Sequence, residues 1–240
     1  MTAEWAAAAL VIALANFVLG LVGFGNGLVA MALLPFLMSP VTAIIVLTIY
    51  TIVFAVVIFL PLRRHLLPIP VLDMLAGTVV GVPAGVWVLS TVPVTALNRL
   101  IGATLVLIVL AEWAGLHPRS LPGRAWGVGA GVLAGVAGGA IGTPGPPVIV
   151  YSTTQGWSPR TIKANLQAFF AVNQAVILVG YWWAGLLDAT VWKLAGSFAL
   201  PAAAGVALGV LLFNKVDHAR FRRIVFAVLL VAGLALLVRG

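Results

Sequence analysis

Ten apolar runs follow one another along this chain, at roughly 5–22, 24–38, 41–61, 71–90, 95–113, 125–141, 145–155, 161–187, 190–213 and 222–238. A complete crossing of a bilayer takes about 20 apolar residues, and most of the runs reach that length. Backbone in lipid has to satisfy its own polar groups, so the runs read as helices of a polytopic, all-α membrane protein. Only 8% of the residues are charged, against about 25% in a soluble domain. The net charge of +8 does not point to nucleic acid, because the basic residues sit in short loops between apolar runs. Cysteine is absent, which excludes disulfides and thiolate metal sites. The start, Met1 to Trp5, has no basic region of the kind that opens a cleaved signal peptide.

The runs also say one thing twice. Gly20-Leu21-Val22-Gly23-Phe24-Gly25-Asn26-Gly27 precedes a short run ending at Ser39-Pro40. About 119 residues later, Gly139-Ala140-Ile141-Gly142-Thr143-Pro144-Gly145-Pro146-Pro147 precedes a short run ending at Ser158-Pro159. Gly20 matches Gly139, Gly23 matches Gly142, Val29 matches Val148, and Thr42 matches Thr161. Two halves, each with a Gly/Pro interruption in apolar sequence, are the best sequence pointer to a transporter's binding site. The halves are expected at 1–116 and 117–240.

Basic residues set the orientation. Arg63, Arg64, Arg119, Arg124, Arg160, Lys163, Lys215, Arg220, Arg222 and Arg223 placed inside leave only Arg99, Lys193 and Arg239 outside. Loops 62–70, 114–124, 156–160 and 214–221 are then inside. The 125–155 region has to enter and return, either as a re-entrant hairpin or as two short crossings. Each half becomes a broken hairpin plus three crossings. That number is odd, so the second half is inverted relative to the first. The expected architecture is two Gly/Pro-broken helical hairpins plus six full spans, eight to ten helices, with both termini outside. Alanine and leucine richness points to a bacterial inner membrane.

Helices that start at such breaks point N–H groups and the positive end of the helix dipole into the membrane. Starts are expected near Gly25–Gly27 and near Thr143–Pro147, converging near the midplane as an anion site of little side-chain charge. Gly25, Asn26, Gly27, Gly142, Thr143 and Gly145 are its candidate residues. A tight apex with its amides satisfied internally is the structural alternative. Along the next helix Lys163, Gln167, Gln174 and Tyr181 share one face, and Thr48 is the first-half counterpart of Gln167. Asn165 and Asn173 fall on other faces. Thr48, Gln167 and Gln174 read as pathway lining or as interhelical hydrogen bonds. Lys163 either snorkels or draws anions into an inner vestibule. Arg99 guides anions at the outer mouth or contacts lipid phosphate. Gly77, Gly81 and Gly85, and Gly127, Gly131, Gly135 and Gly139, recur every four residues, for tight helix packing or for a sliding surface. Seven of the tryptophans fall near span ends as interfacial anchors.

The acids Glu4, Asp73, Glu112, Asp188 and Asp217 all lie near span ends, so none relays protons at mid-membrane. His65, His117 and His218 are in inside loops. No catalytic residue, metal cluster or nucleotide loop is expected, no cofactor is implied, and the oligomeric state stays open.

The stretch Gly138 to Tyr151, followed by Gly156-Trp157-Ser158-Pro159-Arg160, resembles the TauE/SafE family of sulfite-exporter-like permeases, and Gly23-Phe24-Gly25-Asn26-Gly27 resembles that family's partner motif. The likeness covers nearly the whole chain. It implies transport of sulfite, of sulfonates such as sulfoacetate, or of another small anion. The family often carries three glycines or Gly-Gly-Pro where this chain has Asn26 and Thr143-Pro144. The reading is an exporter of a small anion working by alternating access, with an anion channel using the same site as the alternative. An intramembrane enzyme would need a buried acid, histidine or cysteine that the chain lacks.

Overall fold

A computed structural model describes residues 3–239 apart from His117, Arg119 and Asn214, with the backbone alone at His218 and Ala219. Arg119 and His117, assigned above to an inside loop, therefore lie outside the described residues, as does the side chain of His218. Among the described residues the chain is all helical: α1 (Ala3–Val22), α2 (Asn26–Leu33), α3 (Pro40–Phe59), α4 (Pro68–Thr91), α5 (Val94–Trp113), α6 (Arg124–Ile141), α7 (Gly145–Thr153), α8 (Pro159–Trp183), α9 (Ala189–Ser197), α10 (Ala199–Leu212) and α11 (His218–Arg239). Short 3₁₀ turns follow α2 (Leu34–Phe36) and α3 (Leu60–His65). Seven helices are long and apolar enough to cross a membrane, and the pair α9–α10 makes an eighth when taken as one span. The protein is a multi-pass membrane protein.

The run at 190–213 reads as one span in the sequence but is bent by 47° at Phe198. Pro201 has no N–H, so the carbonyl of Ser197 loses its helical donor, and the ladder breaks there. Taking α9 and α10 as one span brings the eleven described helices to ten, the upper end of the expected eight to ten.

Helix starts follow local chemistry. Ser158 caps α8, its Oγ accepting from the Thr161 N–H at 3.2 Å, and Pro159 takes the first helical position, where no N–H is needed. The Ala43 N–H donates to the Ser39 carbonyl at 3.0 Å as α3 begins with Pro40. The repeated Ser-Pro pair is thus helix-start chemistry.

The breaks are built from left-handed glycines. Gly25 precedes α2 at φ 89°, and Gly142 ends α6 at φ 68°. A side chain at such an angle costs about 1–2 kcal/mol. At Gly142 the N–H reaches the Gly138 carbonyl (3.0 Å) and the Thr143 N–H reaches the Ala137 carbonyl (3.2 Å). This wrap-around pattern satisfies the last carbonyls of α6. The hairpin arms are unequal. At 1.5 Å per residue α6 is ~27 Å long and α7 ~13.5 Å, less than half of a ~30 Å hydrocarbon core. The second hairpin is a long arm with a short return, not two equal crossings.

The chain packs as two units that are discontinuous in sequence: Met1–Leu47, Val92–Leu116 and Thr190–Gly240 form one, Thr48–Thr91 and His117–Ala189 the other. The boundary falls inside α3. The units are defined by packing and the expected halves by duplication, so the two divisions differ in kind. In the first unit α1 packs along α10, and α5 along α11 with Gly102 against Gly233. In the second unit α4 packs along α6, with α7 and α8 against them.

One helix crossing occurs twice. In the second unit Gly81 lies against the backbone of Val132, and Gly85 against that of Val136. In the first, Gly205 lies against Ala13 and Gly209 against Phe17. The glycines correspond at an offset of 124 residues and their partners at 119. The glycine ladder is therefore a backbone-to-backbone packing surface inside one unit. In lipid such closeness stabilises through dispersion, since burial from lipid supplies no hydrophobic gain.

At one end of the second unit Arg124 grips Asp73, with Nη2 2.7 Å and Nε 2.9 Å from Oδ1. The side chains are 79% and 6% exposed respectively, so the chain does hold a buried acid, contrary to the expectation, and arginine neutralises it near the start of α4. Removing the arginine strands a buried carboxylate, whereas removing the aspartate leaves a guanidinium that water solvates. Arg124→Gln is expected to lower the melting temperature of the purified protein more than Asp73→Asn does. Equal losses, or the reverse order, would show that the carboxylate does not depend on its partner.

Candidate functional site

The second unit holds the richest set of buried polar side chains. Thr48, Asn165, Gln167 and Asn173 are fully buried, and Thr78, Thr143 and Gln174 nearly so. Several converge on the break between α6 and α7. Tyr181 of α8 donates its hydroxyl to the Gly139 carbonyl (2.8 Å), with the Gly138 carbonyl 3.3 Å away. Thr48 is a hydrogen-bonding neighbour of the same hydroxyl. A methyl group built on Gly138 would stand 2.8 Å from Ile177 Cδ1, 3.0 Å from Pro144 Cβ and 3.6 Å from Asn173 Nδ2. The break, the end of α6 and the middle of α8 thus meet around Gly138, with the Asn173 amide among its neighbours.

Asn173 is only half used. Its Oδ1 accepts from the Thr78 hydroxyl at 3.0 Å, while Nδ2 has no partner among the described residues. Thr143 Oγ1, in the break itself, and Gln174 Oε1 are likewise buried without a partner. A buried polar atom left without a hydrogen bond costs about 1–3 kcal/mol. Such atoms grouped at a helix break mark a place where a polar ligand or water completes the bonding.

The start of α7 offers few backbone donors. Pro144, Pro146 and Pro147 have none, so Gly145 supplies the one N–H of residues 144–147. A methyl group on Gly145 would lie 3.3 Å from Ile149 Cδ1 and 3.9 Å from Phe170 Cζ, so the buried position takes a small group only if the flexible end of Ile149 shifts slightly. The donors of this break come from Gly145, Thr143 and Asn173 together, with the dipole of α7 behind them.

The structure distributes the expected residues as follows. Thr48, Gly142, Thr143, Gly145, Gln167 and Gln174 are all buried within the second unit, where Lys163 is half-buried in the second turn of α8. Gly25, Asn26 and Gly27 form the break before α2 in the first unit, with Asn26 and Gly27 buried. Arg99 is exposed on α5 of that unit. Among the described residues no group of three His, Asp or Glu side chains could hold a metal ion.

Sequence reasoning missed Asn173 and Thr78. Asn173 falls off the Gln167–Gln174–Tyr181 stripe. That stripe is too narrow a view of α8, whose buried residues include Asn165, Leu166, Phe169 and Asn173 beside it. Asn165 and Asn173 are eight residues apart, which brings them to neighbouring positions round the helix. That spacing was the available signal. Asn165 has a structural task, its Oδ1 accepting from the Leu67 N–H at 2.8 Å.

Searches among curated proteins and among solved structures give no significant match. A family model does match: that of "Sulfite exporter TauE/SafE", over residues 8–236. The match takes in both breaks, all or most of each membrane span and the polar cluster of α8, and the chain belongs to the TauE/SafE sulfite exporter family.

Proposed function

We propose that this protein exports a small anion, sulfite or an organosulfonate such as sulfoacetate, by alternating access. The observation that carries the reading is the set of unpartnered buried groups at the α6–α7 break, Thr143 Oγ1 and the Asn173 amide. They are neutral donors beside the start of a helix, and anions are bound well by that combination. The break before α2 is the first-half counterpart, with Gly25, Asn26 and Gly27 in the matching role. Gln167, Gln174 and Thr48 line the path, Lys163 attracts anions from the inner side, and Arg99 of the other unit attracts them from the outer side.

The halves 1–116 and 117–240 are the two copies of an inverted duplication in this reading. The doubled glycine crossing, in one register, supports the duplication. Contacts within each unit support the grouping of segments by side, and the basic-residue bias supplies which side is inside. Asp73 meets Arg124, Gln155 meets Leu121, Asn165 meets Leu67 and Glu112 meets Arg222, all between segments assigned inside. Arg239 meets Phe36, both assigned outside. Both termini then face away from the cytoplasm in the inner membrane.

Energetics permit export without a coupled ion. A membrane potential contributes about 2.3 kcal/mol per charge per 100 mV, so an inside-negative cell expels a monoanion by roughly fiftyfold at that voltage.

The test is flux from proteoliposomes loaded in turn with sulfite, sulfate, thiosulfate, sulfoacetate, taurine, acetate and chloride, under a set potential. Saturable, voltage-driven efflux selective for one sulfur anion is expected. Unitary currents would instead make the protein a channel, and no flux with any anion would remove the proposal. Asn173→Asp adds a negative charge at the buried amide and is expected to reduce efflux to background, whereas Asn173→Ser keeps measurable flux. Equal flux in the aspartate variant and the wild type would take Asn173 out of the site.

A further inference from the structure

We propose that the groove between α2 and α11 is a binding site for a phospholipid with an anionic headgroup. The groove is a shallow, open one of about 460 Å³, a volume within the range of sites that hold small organic ligands. Leu33 and Phe36 form one wall, and Ala227, Val231 and Ala235 line the other. Those three residues recur every four positions and so form a single row along α11. Arg239 is the next member of that row. Its guanidinium stands 5.4 Å from the centre of the Phe36 ring, at the end of the apolar slot. Among the described residues Arg239 has no carboxylate partner.

The dimensions match one leaflet. From Ala227 to Arg239 the row rises ~18 Å, a little over half of a ~30 Å hydrocarbon core. An apolar slot of that length with a cation at its end is complementary to one acyl chain and the phosphate above it. The chain itself supplies no selectivity, because an acyl tail gains little by leaving bulk lipid for an apolar groove. Selection falls to the guanidinium, which binds phosphate oxygens through paired N–H donors and favours a head of net negative charge. A bound lipid also braces the end of α2, the short helix that starts at the Gly25 break.

The experiment is native mass spectrometry of protein extracted from vesicles of equal phosphatidylglycerol and phosphatidylcholine, alongside melting temperatures in each lipid. Wild-type protein is expected to retain phosphatidylglycerol roughly fivefold over phosphatidylcholine, the effect of one basic residue at the membrane surface. Arg239→Gln is expected to bind both lipids equally. Ala235→Phe, which fills the slot, is expected to bind neither while keeping its fold. No preference in the wild type, or a preference unchanged in both variants, would overturn the site. So would a dimer cross-linked through Ala235→Cys in intact membranes, which would show that a second copy covers the groove.

Discussion

Gly131→Leu is expected to yield no recoverable folded protein, while Gly129→Leu, two residues away on the same helix, yields protein that elutes and melts as the wild type does. The difference comes from what each side chain would meet. A Cβ on Gly131 would fall inside the backbone of Met74 on α4, at its carbonyl group, and backbone has no rotamer with which to yield. A Cβ on Gly129 meets nothing within 4 Å. Overpacking a core with flexible neighbours costs about 1–3 kcal/mol. Here α4 and α6 have to separate along a crossing that also includes Gly77, Gly81, Gly85 and Gly135, so the loss is expected to exceed about 4 kcal/mol, a large share of a typical folding free energy. The companion pair in the first unit repeats the logic: Gly205→Leu collides with the backbone of Ala13, and Gly196→Leu has open space. Size-exclusion profiles and thermal melts in detergent decide the matter. A Gly131→Leu protein that melts with the wild type would show that the two helices do not depend on close approach.

Much of this architecture was legible in the sequence because lipid enforces simple rules. Apolar length set the spans, and the short runs after each glycine-rich break became α2 and α7 where expected. Ser158-Pro159 could be read as a helix start, since its capping chemistry is local. The every-fourth glycines left two readings open, and only the backbone of the partner helix decided between packing and sliding. The bend at Phe198 was missed although Pro201 was in view. A proline near a helix start is tolerated, and where the helix starts is a matter of tertiary packing. Asn173 was missed for a different reason. A membrane helix enclosed by neighbours buries several faces, so a single polar stripe does not identify the residues that matter. Nor can sequence show that Asn165 and Asn173 each engage their oxygen, on the Leu67 N–H and the Thr78 hydroxyl, and leave their Nδ2 without a partner among the described residues.

Gly145→Leu is expected to stop anion efflux, a fall of more than about a hundredfold, with the protein still inserted and folded. The geometry separates the two properties. Around Gly145 the first contacts of an added carbon are the flexible end of Ile149 at 3.3 Å and the rim of Phe170 at 3.9 Å. Gly145→Ala therefore fits with slight adjustment and leaves the fold in place. A leucine extends further, past the flexible end of Ile149, beside the one N–H of this helix start, and displacement of a bound group by an ångström costs a hundredfold in well-positioned sites. Thr143→Val supplies the sharper companion. The Thr143 hydroxyl is buried and unpartnered, so exchanging it for a methyl group relieves a cost of about 1–3 kcal/mol in the unliganded protein. The same exchange removes a hydrogen bond to a charged ligand, about 1.5–3 kcal/mol, or roughly ten- to a hundredfold in apparent affinity. The variant should thus melt higher than the wild type without anion and gain less from adding one, since a ligand stabilises only in proportion to its binding. A hydroxyl with a purely structural role gives a different pair of readouts: Thr143→Val then melts lower, and the anion-dependent shift is unchanged.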